Sequence, residues 1–373
     1  MRIANARALT PQGTFEQRDI YVQDGRFVAT DHGGVRMNAH GLMALPGLVD
    51  VHLHGAKGQD FCNGTSEAIG TIARYEAQQG VLAICPATMT FPERKLADIA
   101  DVAAAWVTSG EHEGCADVVG INMEGPFISP HRIGAQNPRY VQPCDLGMYR
   151  RLQERSGGLI RLVDVAPETP GALEFIRAVS GEVVVSVAHT CATYEEASAA
   201  FEAGACECTH LWNAMPPLTH RAPGVIGAAA DHSHVRVELI CDGVHIHPSV
   251  IRLTFALFAG RVVMISDSME ATGLADGSYG LGGQEVTVRG RRATLADGTI
   301  AGSATNLFDC LRHAVHEVGI PLADAVRACS MVPAQAIGVA DRFGSIEPGK
   351  VASLVLVDDE LAIHEVVLRG ACL

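Results

Sequence analysis

The sequence predicts an α/β protein: a (β/α)8 TIM-type barrel carrying a small β domain formed from both chain termini, with a doubly wound open sheet as the alternative for the core. Three observations carry this. Strand-like apolar runs alternate with helical patterns through residues 48–337, as repeated βα units require. Both ends of the chain, 1–47 and 338–373, read instead as short β-branched runs broken by turn residues. Polar side chains suited to metal or acid–base chemistry follow the central runs, where the strands of a βα barrel would converge.

In chain order, the runs 20–22 and 26–28 flank Asp24-Gly25, a two-residue hairpin signal. Residues 66–79 form the first helical pattern, with Thr65 or Ser66 as cap, Ile69 and Ile72 on the apolar face and Gly80 as the stop; 81–85 then reads as a buried strand. Further strands are predicted at 118–123, 183–187, 235–240 and 262–266. Thr193 and Glu196 have capping-box spacing ahead of Ala197, Ala200 and Phe201, and Gly204 closes that helix. At the C-terminal end, 354–357 and 365–368 are apolar and β-branched, preceded by the turn residues Glu347-Pro-Gly-Lys350.

Composition narrows the function classes. A chain of 373 residues with 48% hydrophobic content has room for one large domain and a smaller one. No apolar run reaches the roughly 18 residues of a membrane span, and the first eight residues lack the apolar segment of a signal peptide, so the cytoplasm is the expected compartment. The 11 cysteines form no C-x-x-C pair, which argues against a disulfide framework or a zinc ribbon. A net charge of -14 disfavours nucleic acid and anionic membranes as partners, while leaving room for a small anionic substrate held by local cations.

The chemistry concentrates at the strand ends. His52 and His54 are two residues apart after an apolar run, so in a strand both rings would face one side and reach one ion. Glu124 follows 118–123, His189 follows 183–187, His210 follows 206–209, His245 follows 235–240 and Asp267 follows 262–266. Taken singly, His189 or His210 reads more often as a hydrogen-bonded structural residue, His52 and His54 read equally well as such, and Glu124 reads as a turn carboxylate before Gly125-Pro126. Their common placement points to a divalent metal on Glu124, His189 and His210. Imidazoles with a carboxylate suit Zn2+ first, with Fe2+, Co2+ and Mn2+ as alternatives. Asp267 is better employed as a general acid/base, because a metal lowers the pKa of water to roughly 7 and a neighbouring carboxylate can take up and return that proton. No G-x-S-x-G elbow or P-loop is present, no cysteine has an obvious neighbouring base, and Gly280-Leu-Gly-Gly283 does not complete G-x-G-x-x-G.

Eight stretches carry a resemblance. They are Pro46-Gly-Leu-Val-Asp-Val-His-Leu-His-Gly55, Met123-Glu-Gly-Pro-Phe127, Ala188-His-Thr190, Thr209-His-Leu-Trp-Asn-Ala-Met215, Arg221-Ala-Pro-Gly224, Asp242-Gly-Val-His245, Ser266-Asp-Ser-Met-Glu-Ala-Thr-Gly273 and Ala301-Gly-Ser303. In order and content they resemble the N-acetylglucosamine-6-phosphate deacetylases of the amidohydrolase superfamily. The resemblance implies a (β/α)8 barrel with a small β-sandwich from both termini, a homodimer, and hydrolysis of the acetamide of a phosphorylated N-acetyl-amino sugar. It implies a metal on Glu124, His189 and His210, Asp267 as catalytic acid/base, and His245 polarising the acetamide carbonyl. It also implies Asn213, Ala214 and Arg221 as sugar-phosphate contacts; a planar guanidinium suits phosphate in an acidic protein.

The chain departs from that family at Gln136, a predicted substrate contact, where a histidine is usual, and at Ser268 and Glu270, where alanines are more common. Some of these deacetylases lack the His52/His54 pair and work with one metal. The pair therefore predicts a second ion, sharing Glu124 and roughly 3.5–4 Å from the first. Competing expectations are deacetylation of N-acetylgalactosamine 6-phosphate, action on an acyl amino acid or cyclic amide, and a barrel without activity that serves as a binding protein.

Overall fold

The computed structural model describes residues 1–110 and 112–373. The central strands are short and parallel, and their sequence explains why. β1 (Leu48–Asp50), β2 (Val81–Ile84), β3 (Asp117–Val118), β4 (Ile121–Met123), β5 (Ile160–Val165), β6 (Val184–Val187), β7 (Glu207–Cys208), β8 (Arg236–Ile240) and β9 (Val262–Ile265) are largely buried, and all but the two-residue β3 and β7 are rich in aliphatic side chains. Such runs suit sheets covered on both faces.

β1, β2 and β3 form one parallel sheet in the order β3-β2-β1, and β4 to β9 form another in sequence order. The run expected at 118–123 is thus split between two strands at Val119 and Gly120. Backbone hydrogen bonds join the outer ends of the set: Asp267 N donates to His52 O at 2.9 Å and His54 N to Ser268 O at 2.7 Å. The C-terminal ends of β9 and β1 are therefore neighbours.

Helices connect the strands. α1 (Ser66–Gln78) is capped by Thr65, whose side chain accepts from Ala68 N, and ends beside Gly80 at φ +78°. The capping box at Thr193 and Glu196 is present on the helix Tyr194–Ala203, and Gly204 terminates it at φ +119°. Both ends agree with the sequence reading. The strand Ile160–Val165, by contrast, was not among the sequence-derived strands, although five of its six residues are buried.

The chain termini meet in one mixed sheet. Arg2–Leu9 pairs parallel with Met43–Pro46, and Met43–Pro46 pairs antiparallel with Leu354–Val357. The expected hairpin joins Phe15–Gln23 to Arg26–Val28 through Asp24 (φ +48°) and Gly25 (φ +72°), both in the left-handed conformation of a tight hairpin turn. A three-stranded antiparallel unit absent from the sequence reading, Gly277–Leu281, Gln284–Arg289 and Arg292–Thr294, follows β9 and reaches over the strand ends. Gln284 Nε2 donates to Ala135 O at 2.5 Å, tying this unit to the loop after β4. No described helix is long and apolar enough to cross a membrane.

Candidate active site

The polar residues at the strand ends converge. His52, His54, Glu124, His189, His210 and Asp267 are all buried, at 8% exposure or less. Three of them leave their strands through an unusual backbone turn: His189 at φ +42°, His210 at φ +31° and Asp267 at φ +50° occupy the left-handed region. That conformation is costly for residues with a side chain and is concentrated at functional sites.

Glu124 is the hub. Its Oε1 lies 3.0 Å from His189 Nε2, 3.4 Å from His210 Nε2 and 3.6 Å from His52 Nε2, whereas Oε2 lies 3.3 Å from His54 Nε2. Two sets of donor atoms result, Glu124 with His189 and His210, and Glu124 with His52 and His54, the atoms of each set within 4.8 Å of one another. Asp267 Oδ1 stands 3.3 Å from His54 Nε2 and 3.8 Å from His52 Nε2.

The donor set fits a divalent cation. His189 Nδ1 contacts the Arg132 carbonyl at 2.8 Å; a carbonyl only accepts, so this nitrogen carries the hydrogen and Nε2 is free to donate a lone pair. His52 Nδ1 faces Glu238 Oε2 at 2.9 Å, and its Nε2 is buried without a hydrogen-bond partner. Burial works against charge on His52, yet Glu238 and Glu124 outweigh it and hold the imidazole well above its ordinary pKa. Burial likewise pushes Glu124 up, and the facing His52, His189 and His210 override it and hold the carboxyl well below its usual range. The pocket thus favours positive charge at its centre.

A cavity of about 530 Å³ opens above these groups, lined by His54, Glu124, His189, His210 and Asp267. Asn213, Ala214, His245 and Gln136, the residues expected from the sequence to meet substrate, also lie in its lining. His245 Nδ1 bonds Asp242 Oδ2 at 2.7 Å, and Ser303 Oγ donates to the same oxygen at 3.2 Å. Burial opposes the charged ring, but Asp242 raises the His245 pKa.

Arg221 is exposed and is not among the residues lining this cavity; the guanidinium-bearing residue on its wall is Arg132. Gln136 turns its amide inward: Nε2 donates to Glu124 Oε2 at 2.7 Å and Oε1 accepts from Thr90 N at 2.7 Å. Ser268 and Glu270 are engaged by backbone groups, Ser268 Oγ donating to Gly55 O at 3.0 Å and Glu270 accepting from Gly280 N.

Glu238, Asp242 and Arg132 were missed as functional candidates by sequence reasoning. Glu238 lies mid-strand in β8, where a lone fully buried acid between Val237 and Leu239 was the available signal.

The amidohydrolase family matches residues 43–371. The chain belongs to the amidohydrolase family. It is 38% identical to the N-acetylglucosamine-6-phosphate deacetylase of Bacillus subtilis over 87% of this chain and 83% of that protein. It is 33% identical to the N-acetylgalactosamine-6-phosphate deacetylase of Escherichia coli O157:H7 over 98% of this chain and 97% of that protein. Among solved structures, this amidohydrolase is similar to a mutant N-acetyl-D-glucosamine-6-phosphate deacetylase from Mycobacterium smegmatis in complex with N-acetyl-D-glucosamine-6-phosphate. The TM-score is 0.93 at 32% identity, covering 100% of this chain and 98% of that one.

Proposed function

We propose that this amidohydrolase hydrolyses the acetamide of N-acetyl-D-glucosamine 6-phosphate, giving D-glucosamine 6-phosphate and acetate. The observation that carries the reading is Glu124 shared between two histidine sets, with Asp267 beside them at the floor of a sugar-sized cavity. Glu124, His189 and His210 would hold one divalent ion, Zn2+ before Fe2+, Co2+ or Mn2+, and His52 and His54 with Glu124 a second. Such an ion supplies Lewis acidity, acidifying water and polarising an acyl oxygen.

The chain's own residues do the rest. Asp267 Oδ1, held by His54, takes the proton of the attacking water as the new C–O bond forms. His245, oriented through Nδ1 by Asp242, directs Nε2 at the acetamide oxygen as it gains charge. When the C–N bond breaks, Asp267 returns the proton to the departing amine. Asn213 and Ala214 on the cavity wall would contact the sugar and Arg132 its phosphate, with Arg221, exposed outside that lining, as a second cation for the phosphate.

We further propose a small β-sandwich, 1–47 with 338–373, and a barrel, 48–337, whose end strands β1 and β9 close through the backbone hydrogen bond from Asp267 to His52. The enzyme is taken as a cytoplasmic homodimer. The full-length similarity to an N-acetylgalactosamine-6-phosphate deacetylase supports a second reading, the same chemistry on the galacto epimer.

Acetate release from both N-acetylhexosamine 6-phosphates and from their unphosphorylated sugars tests the proposal. The gluco phosphate is expected to give the highest kcat/KM. A higher value for the galacto phosphate establishes the second reading, and indifference to the phosphate refutes both.

A further inference from the structure

We infer that Gln136 is a positioning residue that fixes the Glu124 carboxylate astride two metal sites, an inference that rests on the metal-dependent reading above. Gln136 is 2% exposed and sits on the loop after β4, anchored by its own N–H to Ile133 O at 2.8 Å. Its Oε1 accepts from Thr90 N at 2.7 Å. A backbone N–H can only donate, so this contact selects the oxygen end of the amide and leaves the NH2 group facing the other way. There Nε2 donates to Glu124 Oε2 at 2.7 Å, a charge-assisted bond between two buried groups.

The consequence is a division between the two carboxylate oxygens. Oε1 is left to His189, His210 and His52, while Oε2 is held at 3.3 Å from His54. Rotation about the last side-chain bond of Glu124 would break the bond to Nε2 and draw both oxygens out of line with the two histidine sets. The amide cannot follow such a rotation without giving up Thr90 N, whose hydrogen bond would then go unmade in a buried site. Nε2 also lies 3.6 Å from the Met89 sulfur, which packs against the same end of the amide. A neutral donor at this position orients the carboxylate without placing a further positive charge beside the two cation sites.

Removing the donor is therefore expected to weaken the His52/His54 site, whose His54 faces the oxygen that Gln136 holds. The test is a zinc titration of chelator-stripped full-length protein against a chromophoric chelator, with wild type, Gln136→Leu and Gln136→Met compared, and thermal melts reporting that each variant is folded. Wild type is expected to bind two equivalents. The variants should keep the first and lose about tenfold or more in affinity for the second, the range typical of a partner that orients a ligand. The double variant His52→Ala/His54→Ala identifies which equivalent is lost. Two equivalents at wild-type affinity in a folded Gln136 variant overturn the inference, leaving the metal-dependent reading standing. A single equivalent in wild type overturns it too, and no zinc uptake by wild type brings down the underlying reading itself.

Discussion

Glu238 and His52 form a buried pair, Oε2 to Nδ1 at 2.9 Å, and the same carboxylate oxygen accepts the backbone N–H of His210 at 3.1 Å. One side chain in β8 therefore orients a ring from the end of β1 and the turn that carries a ligand of the other set. With Nδ1 committed to Glu238, His52 Nε2 faces Glu124 Oε1 at 3.6 Å.

Glu238→Leu should accordingly lower kcat/KM by about 10- to 100-fold and reduce zinc bound by up to one equivalent. Glu238→Gln keeps an acceptor for both N–H groups and should be milder than Glu238→Leu. Steady-state kinetics with metal quantitation checks this; equal loss in both variants would show that the charge of Glu238, not its position, is what matters.

Asp267→Asn removes the proton acceptor while keeping the size of the side chain. We expect kcat to fall by about 10²- to 10⁴-fold, the usual worth of a general acid/base, with the metal retained. Deacetylation near the wild-type rate with metal bound would exclude Asp267 from this role.

Arg221 and Arg132 divide the question of phosphate recognition. Arg221→Ala should raise KM for the phosphorylated sugar by about tenfold or more, equivalent to about 1.4 kcal/mol, with little change for the unphosphorylated sugar. The same comparison with Arg132→Ala measures the contribution of the cavity wall, and a larger effect there would transfer the main phosphate contact to Arg132.

The pairing of Asp242 with His245 predicts a pH-dependent increment of stability. Burial pushes Asp242 up from its ordinary 3.8, but His245 and the N–H groups of His245 and Val244 prevail and hold it at about 2. A depressed carboxyl contributes fully above its unfolded value and loses that contribution as pH falls through the folded one; the raised His245 contributes below its unfolded value and loses it as pH rises through the folded one. The destabilisation caused by Asp242→Asn should therefore be largest near pH 5 and shrink towards pH 2, as denaturant melts at several pH values would report.

The sequence made the strand-end histidines and acids legible because a βα repeat places every strand's C-terminal end on one side, so position alone announced Glu124, His189, His210 and Asp267 as companions. It could not announce Glu238, because an acid inside a strand acquires its partner only when β8 is laid near β1. Gln136 was legible as a departure from the family pattern but not as a brace, since its bonds to Thr90 and Glu124 join separate loops. Ile160–Val165 is not legible as a strand because Arg161 and Asp164 interrupt its apolar run, although Asp164 is fully buried and accepts from Thr209 Oγ1 at 2.8 Å. The antiparallel unit from Gly277 to Thr294 is hidden in the sequence because Gly280-Leu-Gly-Gly283 looks like a broken phosphate loop, whereas Gly282 and Gly283 turn the chain at φ +58° and +82°.

On the proposed function, the Glu124, His189 and His210 set makes this chain a metal-dependent deacetylase of a phosphorylated amino sugar. The most direct measurement is acetate release from N-acetyl-D-glucosamine 6-phosphate by chelator-stripped protein titrated with Zn2+. Negligible turnover is expected without metal, recovery as zinc binds, and no recovery in Glu124→Gln. Turnover that is undiminished in fully stripped protein, or that survives Glu124→Gln, would contradict the proposed function.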